Sequence, residues 1–186
     1  MGRKNMKVSF HQSTLEIVQG DITQQDTVAI GNAANSALAG GGGVDGAIHW
    51  AGGPTLMPEL RAKYKGCPTG SAVITSGGNL KAKYVIHAVG PRYSGSPKDR
   101  ELLSSAYRKS LELCTQNKIS SMAFPSISTG IYGYPVEEAS RIALKTVMDY
   151  LKDYPEIKLV RFVLFDSKTF DVYQEALKEL TVKVKI

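Results

Sequence analysis

Cysteine is scarce: the 186 residues hold two, Cys67 and Cys114, with no histidine or second cysteine beside either at metal-ligand spacing. That excludes a disulfide-stapled scaffold and a cysteine-based metal site, and it fits a reducing compartment. No apolar stretch reaches the length of a membrane span. The amino-terminal MGRKNMKVSF is too poor in apolar residues for a signal peptide, and Met6 stands where a myristoylation signal needs Ser or Thr. The reading is a soluble, cytoplasmic chain with no membrane partner. Internal repeats, a Pro/Ser linker and a run of five basic residues are also missing. The chain is therefore expected to form one domain over residues 1–186. Its net charge of +6 reads as a solvated surface that favours anionic partners, with nucleic acid the lesser alternative.

What is present is alternation. Short runs rich in Val and Ile predict strands at Thr14–Gln19, Thr27–Ile30, Ser71–Thr75, Tyr84–Ala88, Ser121–Pro125 and Leu159–Phe165. Apolar residues three and four apart predict helices at Val44–Trp50, Thr55–Lys65, Asp99–Asn117, Val136–Tyr154 and Ser167–Leu180. This order predicts an α/β sandwich. The tail TVKVKI alternates like an edge strand. Unusual composition collects in the loops GDITQQD, GNAANSALAGGGG, HAVGPRYSGSPKD and SISTGIYGYP. Most of these follow a predicted strand directly, and ligands of open α/β sheets sit at the carboxyl ends of strands.

Gly40 to Gly43 are four consecutive glycines leading into an apolar helical stretch. Gly41, Gly43 and Gly46 match G-x-G-x-x-G in letters only. The ten residues NAANSALAGG intervene after the strand, and no acidic residue ends a second strand at the expected distance, which demotes a nicotinamide-binding fold. The lack of G-K-[ST] removes the P-loop nucleotidases. Such a glycine run is costly in folding entropy unless backbone must approach something closely. N–H groups leading into a helix amino terminus suit a phosphate or diphosphate. In the second loop, Gly130 and Gly133 permit positive φ, Ser128 and Thr129 offer hydroxyls, and Tyr132 can cover a ligand. Tyr134 reads equally well as core.

Taken together and in order, QGDIT (Gln19 to Thr23), NAAN (Asn32 to Asn35), GGGGVDGAIH (Gly40 to His49) and PSISTGIYGYP (Pro125 to Pro135) resemble the macro domain family. Within it they are most similar to the MacroD-type ADP-ribosyl-hydrolases, and the resemblance runs from Thr14 to Leu180. It implies a three-layer α/β/α sandwich with a central mixed sheet. The implied ligand is ADP-ribose and its derivatives. The implied activity is removal of mono-ADP-ribose from acidic side chains of proteins and deacetylation of O-acetyl-ADP-ribose by a positioned water, with no metal or organic cofactor. Position by position, Asp21 would accept from the adenine amino group beside the Ile22 backbone, and Phe165 would stack on the base. Gly41, Gly42, Gly43 and Val44, with Ser128, Thr129, Gly130, Ile131 and Tyr132, would enclose the diphosphate and the inner distal ribose. Asn32 belongs to the same binding set, while Asn35 and Asp45 would face the distal ribose as the catalytic pair.

Read without the resemblance, the same residues have plainer uses. Asp21 makes an Asx turn, Asp45 is a first-turn helix acid, Asn32 and Asn35 are turn residues, and Phe165 is core. His49 and His87 read as structural, His49 having no obvious partner. The rival function is a module that binds ADP-ribose without cleaving it, and Asp45 is the residue such a reader could dispense with. Gly31 stands where the family usually has Val, so a looser strand end and altered affinity are expected.

Overall fold

Residues 4–184 are described by the structure, a computed structural model. Its strands are β1 (Asn5–Phe10), β2 (Ser13–Gln19), β3 (Ala29–Ala33), β4 (Ala72–Ser76), β5 (Tyr84–Ala88), β6 (Ser121–Phe124) and β7 (Leu159–Leu164). Its α-helices are α1 (Gly43–Gly52), α2 (Leu56–Lys63), α3 (Pro97–Gln116), α4 (Val136–Asp153) and α5 (Ser167–Val184). The sheet order is β1-β2-β7-β6-β3-β5-β4. The five inner strands are parallel and the two outer ones antiparallel to their neighbours, which makes the sheet mixed.

Side chains alternate across a strand, and the inner strands are apolar on both sides, as parallel strands covered by helices must be. Ala29, Ile86, Met122, Phe124 and Phe162 pack on one face with residues of α3, α4 and α5, such as Tyr107, Leu144 and Tyr173. Ile30, Val85, Ala123 and Val163 point the other way and pack with Ile48 of α1 and Leu56 of α2. The expected three layers follow from that alternation. No helix among the described residues is long and apolar enough to cross a membrane.

Three sequence expectations need correction. The tail is not an edge strand, because α5 continues to Val184; Lys185 and Ile186 lie outside the described residues. Phe170, Tyr173, Leu177 and Leu180 carry one helical stripe to the core, and Thr181 Oγ1 donates to Leu177 O at 2.9 Å, so the established helix period overrides a short alternation. Second, β1 was not expected. Met6, Val8 and Phe10 pack on the core while Asn5, Lys7 and Ser9 face solvent, and a turn with His11 at φ 55° leads back into β2. Third, β3 runs from Ala29 to Ala33, which places Asn32 inside the sheet. Gly31 leaves no slack there: a β-carbon would meet Phe124, Met122 and Pro125 at 3.1–3.2 Å, so their side chains already fill the space of the missing branch.

Candidate functional site

The loops after β2, β3, β6 and β7 meet at the carboxyl ends of the parallel strands. A crevice of about 620 Å3 opens there, lined by Asp21 and Ile22 after β2, Gly43 and Val44 at the start of α1, Thr129 and Gly130 after β6, and Phe165 after β7. Seven residues expected from the sequence thus share one concavity. A hollow between α4 and α5, about 690 Å3, is larger. It is lined by side chains of the helix flanks, including Glu137, Arg141, Lys168, Asp171, Glu175 and Glu179, and shares no lining residue with the crevice.

Asp21 caps a short 3-10 helix, Ile22–Gln24, its Oδ1 accepting from Thr23 N at 2.9 Å and Thr23 Oγ1 at 2.7 Å. The Asx turn is real, and it leaves Oδ2 of this exposed residue available. Phe165 is 84% exposed, so the core alternative fails for it. Ile131, 100% exposed, stands on the opposite loop.

The glycine run uses its conformational freedom at two places, Gly40 with φ 82° and Gly43 with φ 57°. Gly42 caps α1 without a side-chain bond, so the first backbone N–H groups of that helix are left for a ligand. Asn35 does not meet Asp45. Its Nδ2 donates to Gly40 O at 2.9 Å and its Oδ1 accepts from Ala39 N at 3.1 Å, so it closes the loop that carries the glycines.

The second loop is braced from beneath. Tyr107 of α3 accepts from Ile127 N at 3.0 Å, and Tyr173 of α5 donates to Ser126 Oγ at 2.8 Å. Both rings are fully buried, and burial raises both phenols, Tyr173 to about 12. Ser128 takes the left-handed conformation, φ 70°, with its hydroxyl buried against Gly90 and without a partner among the described residues. Thr129 Oγ1 turns inward to Ser126 Oγ at 2.8 Å. The expected hydroxyl donors are therefore spent inside the loop or buried, and its backbone N–H groups are the better ligand donors. Positive φ falls at Ser128 and Gly133, not at Gly130. The Tyr132 ring lies under the Arg92 guanidinium at 5.0 Å, and Tyr134 is core.

Behind the crevice runs a buried polar chain that the sequence reading missed. Asn32, fully buried, donates Nδ2 to Asp45 Oδ1 at 2.7 Å and approaches His87 Nδ1 at 3.1 Å. It therefore lies under the site instead of on its surface, contrary to its expected place in the binding set. Asp45 is 6% exposed, and the same Oδ1 faces His49 Nε2 at 3.3 Å, one helical turn on. Its Oδ2 lies under Gly41, 3.7 Å from where a β-carbon would stand. His87 Nε2 meets Thr75 Oγ1 at 2.9 Å, and burial, with the His49 charge adding to it, pushes His87 down to about 3. The i to i+4 spacing of Asp45 and His49 was the available signal; His87 needed the β3–β5 register. No group of three His, Cys, Asp or Glu side chains among the described residues is arranged to hold a metal ion.

Residues 31–143 match the macro domain family. An O-acetyl-ADP-ribose deacetylase of Cronobacter turicensis is 53% identical over 88% of this chain and 95% of its own. A macrodomain of Oceanobacillus iheyensis solved with ADP superposes with a TM-score of 0.93 at 47% identity, over 98% of this chain and 100% of that one. A Trypanosoma brucei macrodomain in complex with ADP-ribose gives 0.83 at 37% identity, over 88% of this chain and 68% of that one.

Proposed function

As this chain belongs to the macro domain family, we propose that it binds ADP-ribose in the crevice and hydrolyses ester bonds at the distal ribose. Its substrates are O-acetyl-ADP-ribose and proteins mono-ADP-ribosylated on acidic side chains. One observation carries the catalytic reading: Asp45 is held at Oδ1 by Asn32 and His49, while Oδ2 points beneath the glycine loop. A carboxylate fixed on one side and free on the other is suited to orient a water and take its proton.

In this mechanism adenine lies between Asp21 and Phe165, and the diphosphate lies between the amino terminus of α1 and the second loop. The Asn35 amide keeps one hydrogen and one lone pair beyond its loop bonds, enough for a distal ribose hydroxyl. Water attacks the acyl or anomeric carbon as the ester C–O bond breaks. Asp45 accepts the water's proton, and the departing oxygen is protonated in turn. No covalent intermediate is needed.

The test is incubation with O-acetyl-ADP-ribose and with a protein carrying glutamate-linked mono-ADP-ribose, following released acetate and ADP-ribose. Release from both is expected. Tight ADP-ribose binding with no release from either would make the protein a reader.

A further inference from the structure

The proposed chemistry leaves one buried imidazole unused. His87 lies in β5 directly opposite Asn32 of β3, without solvent exposure. Its Nδ1 is 3.1 Å from Asn32 Nδ2, and its Nε2 is 2.9 Å from Thr75 Oγ1 on β4. An amide nitrogen only donates, so Nδ1 must accept. A neutral ring then carries its proton on Nε2 and gives it to Thr75 Oγ1, whose own hydrogen goes to Ser76 O at 3.0 Å. The bonds running from the Ser76 carbonyl to Asp45 thereby each have a donor and an acceptor, while the buried Asn32 Oδ1 has no partner among the described residues. Reversing the Asn32 amide would set its Oδ1 against Asp45 Oδ1 at the present 2.7 Å, two acceptors face to face.

Resting on the function proposed above, we propose that His87 is a positioning residue for Asp45. As an acceptor in its Nε2–H form, whose proton Thr75 Oγ1 can receive, it holds the Asn32 amide in the orientation that Asp45 Oδ1 also requires, with Nδ2 donating to both. Asp45 Oδ1 is then occupied and Oδ2 stays turned to the substrate side. A protonated ring has two donors and no acceptor, and would face the Asn32 amide donor to donor. Burial opposes that form. The charged or titratable groups around the ring are His49, its centroid 6.0 Å away, Glu59 of α2, and Asp45 through Asn32.

The test compares His87→Leu, which removes both ring nitrogens, with His87→Asn, whose oxygen restores an acceptor near the Nδ1 position. His87→Leu should lower kcat roughly 10- to 100-fold with KM and ADP-ribose affinity changed within about threefold, since a misplaced group acts on the chemical step. His87→Asn should regain most of that loss. Equal losses in the two variants, or no loss in either, overturn the proposal. Imidazole nitrogen shifts of the wild-type protein give a readout that needs no variant to fold: the Nε2–H form is expected between about pH 5 and 8, and an Nδ1–H form or a charged ring there overturns the proposal. Wild-type protein that cleaves neither substrate overturns the proposed function and with it any part for His87 in that reaction, whatever the nitrogen shifts show.

Discussion

Asn32 donates its amide to Asp45, thirteen positions further on, at 2.7 Å, tying the carboxyl end of β3 to the first turn of α1 across a glycine-rich stretch of chain. The loop between them is held closed by Asn35 at Gly40 and Ala39. Two asparagines of one NAAN segment therefore do separate work, one under the carboxylate and one within the loop.

Asp45→Ala should lower hydrolysis about 10²- to 10⁴-fold, the usual contribution of a positioned general base, and weaken ADP-ribose binding by no more than about 1 kcal/mol. The base and diphosphate contacts do not involve Asp45, so ground-state affinity survives. Single-turnover rates beside calorimetry check the split; equal losses in both would make Asp45 a binding residue only.

Gly130→Glu should abolish ADP-ribose binding and leave the fold intact. Gly130 has no positive φ and a β-carbon there meets nothing, so the substitution adds no backbone strain or clash. It does put a negative charge at the lip of the proposed diphosphate site. Calorimetry and a thermal melt on one sample test both halves.

Phe165→Ala should leave stability within about 0.5 kcal/mol, as an exposed side chain far from special features does. Loss of a stacking ring should weaken ADP-ribose by about 1–3 kcal/mol. Unchanged affinity would remove the ring from the adenine site.

Stability should fall as the pH drops below the normal histidine range. Burial pushes His87 down to about 3 in the folded chain against about 6.5 for a free imidazole, so between these pH values the unfolded state binds a proton that the folded state refuses. The stabilisation is fully present above about pH 6.5 and is lost on acidification, by at most about 1.4 kcal/mol per pH unit for one group. Asp99 and Glu59, whose carboxyls are lowered by hydrogen bonds despite the opposing effect of burial, add losses only below the carboxylate range. Denaturant melts from pH 7 down to 5 isolate the histidine contribution, and His87→Asn should flatten it.

The sheet and most helices were legible because their signals are local: Val and Ile runs between glycine-rich turns, and apolar stripes at helical spacing. The first strand was not legible although Met6, Val8 and Phe10 alternate plainly, because six residues at a chain end are as consistent with fraying as with a strand until their pairing with β2 is known. The tail failed for the opposite reason, a local alternation that a helix already packed by Leu177 and Leu180 overrides. At the site, loop positions such as Asp21, Gly43 and Gly130 could be read from motif order. The buried chain could not, because the pairing of His87 with Asn32 depends on the register of β3 against β5, and which Asp45 oxygen is occupied depends on how α1 docks.

The tyrosine brace under the second loop divides that loop by how its amides trade hydrogen with solvent. The Ile127 amide is bonded to a phenol carried by α3 inside the main core, so it should exchange only when large parts of the domain open. The Gly130 and Ile131 amides, both on exposed residues, have no such anchor among the described residues, and exchange there should be fast in the free protein. Bound ligand can then add protection only at the tip, and the slow amides at the root should report global stability with or without it.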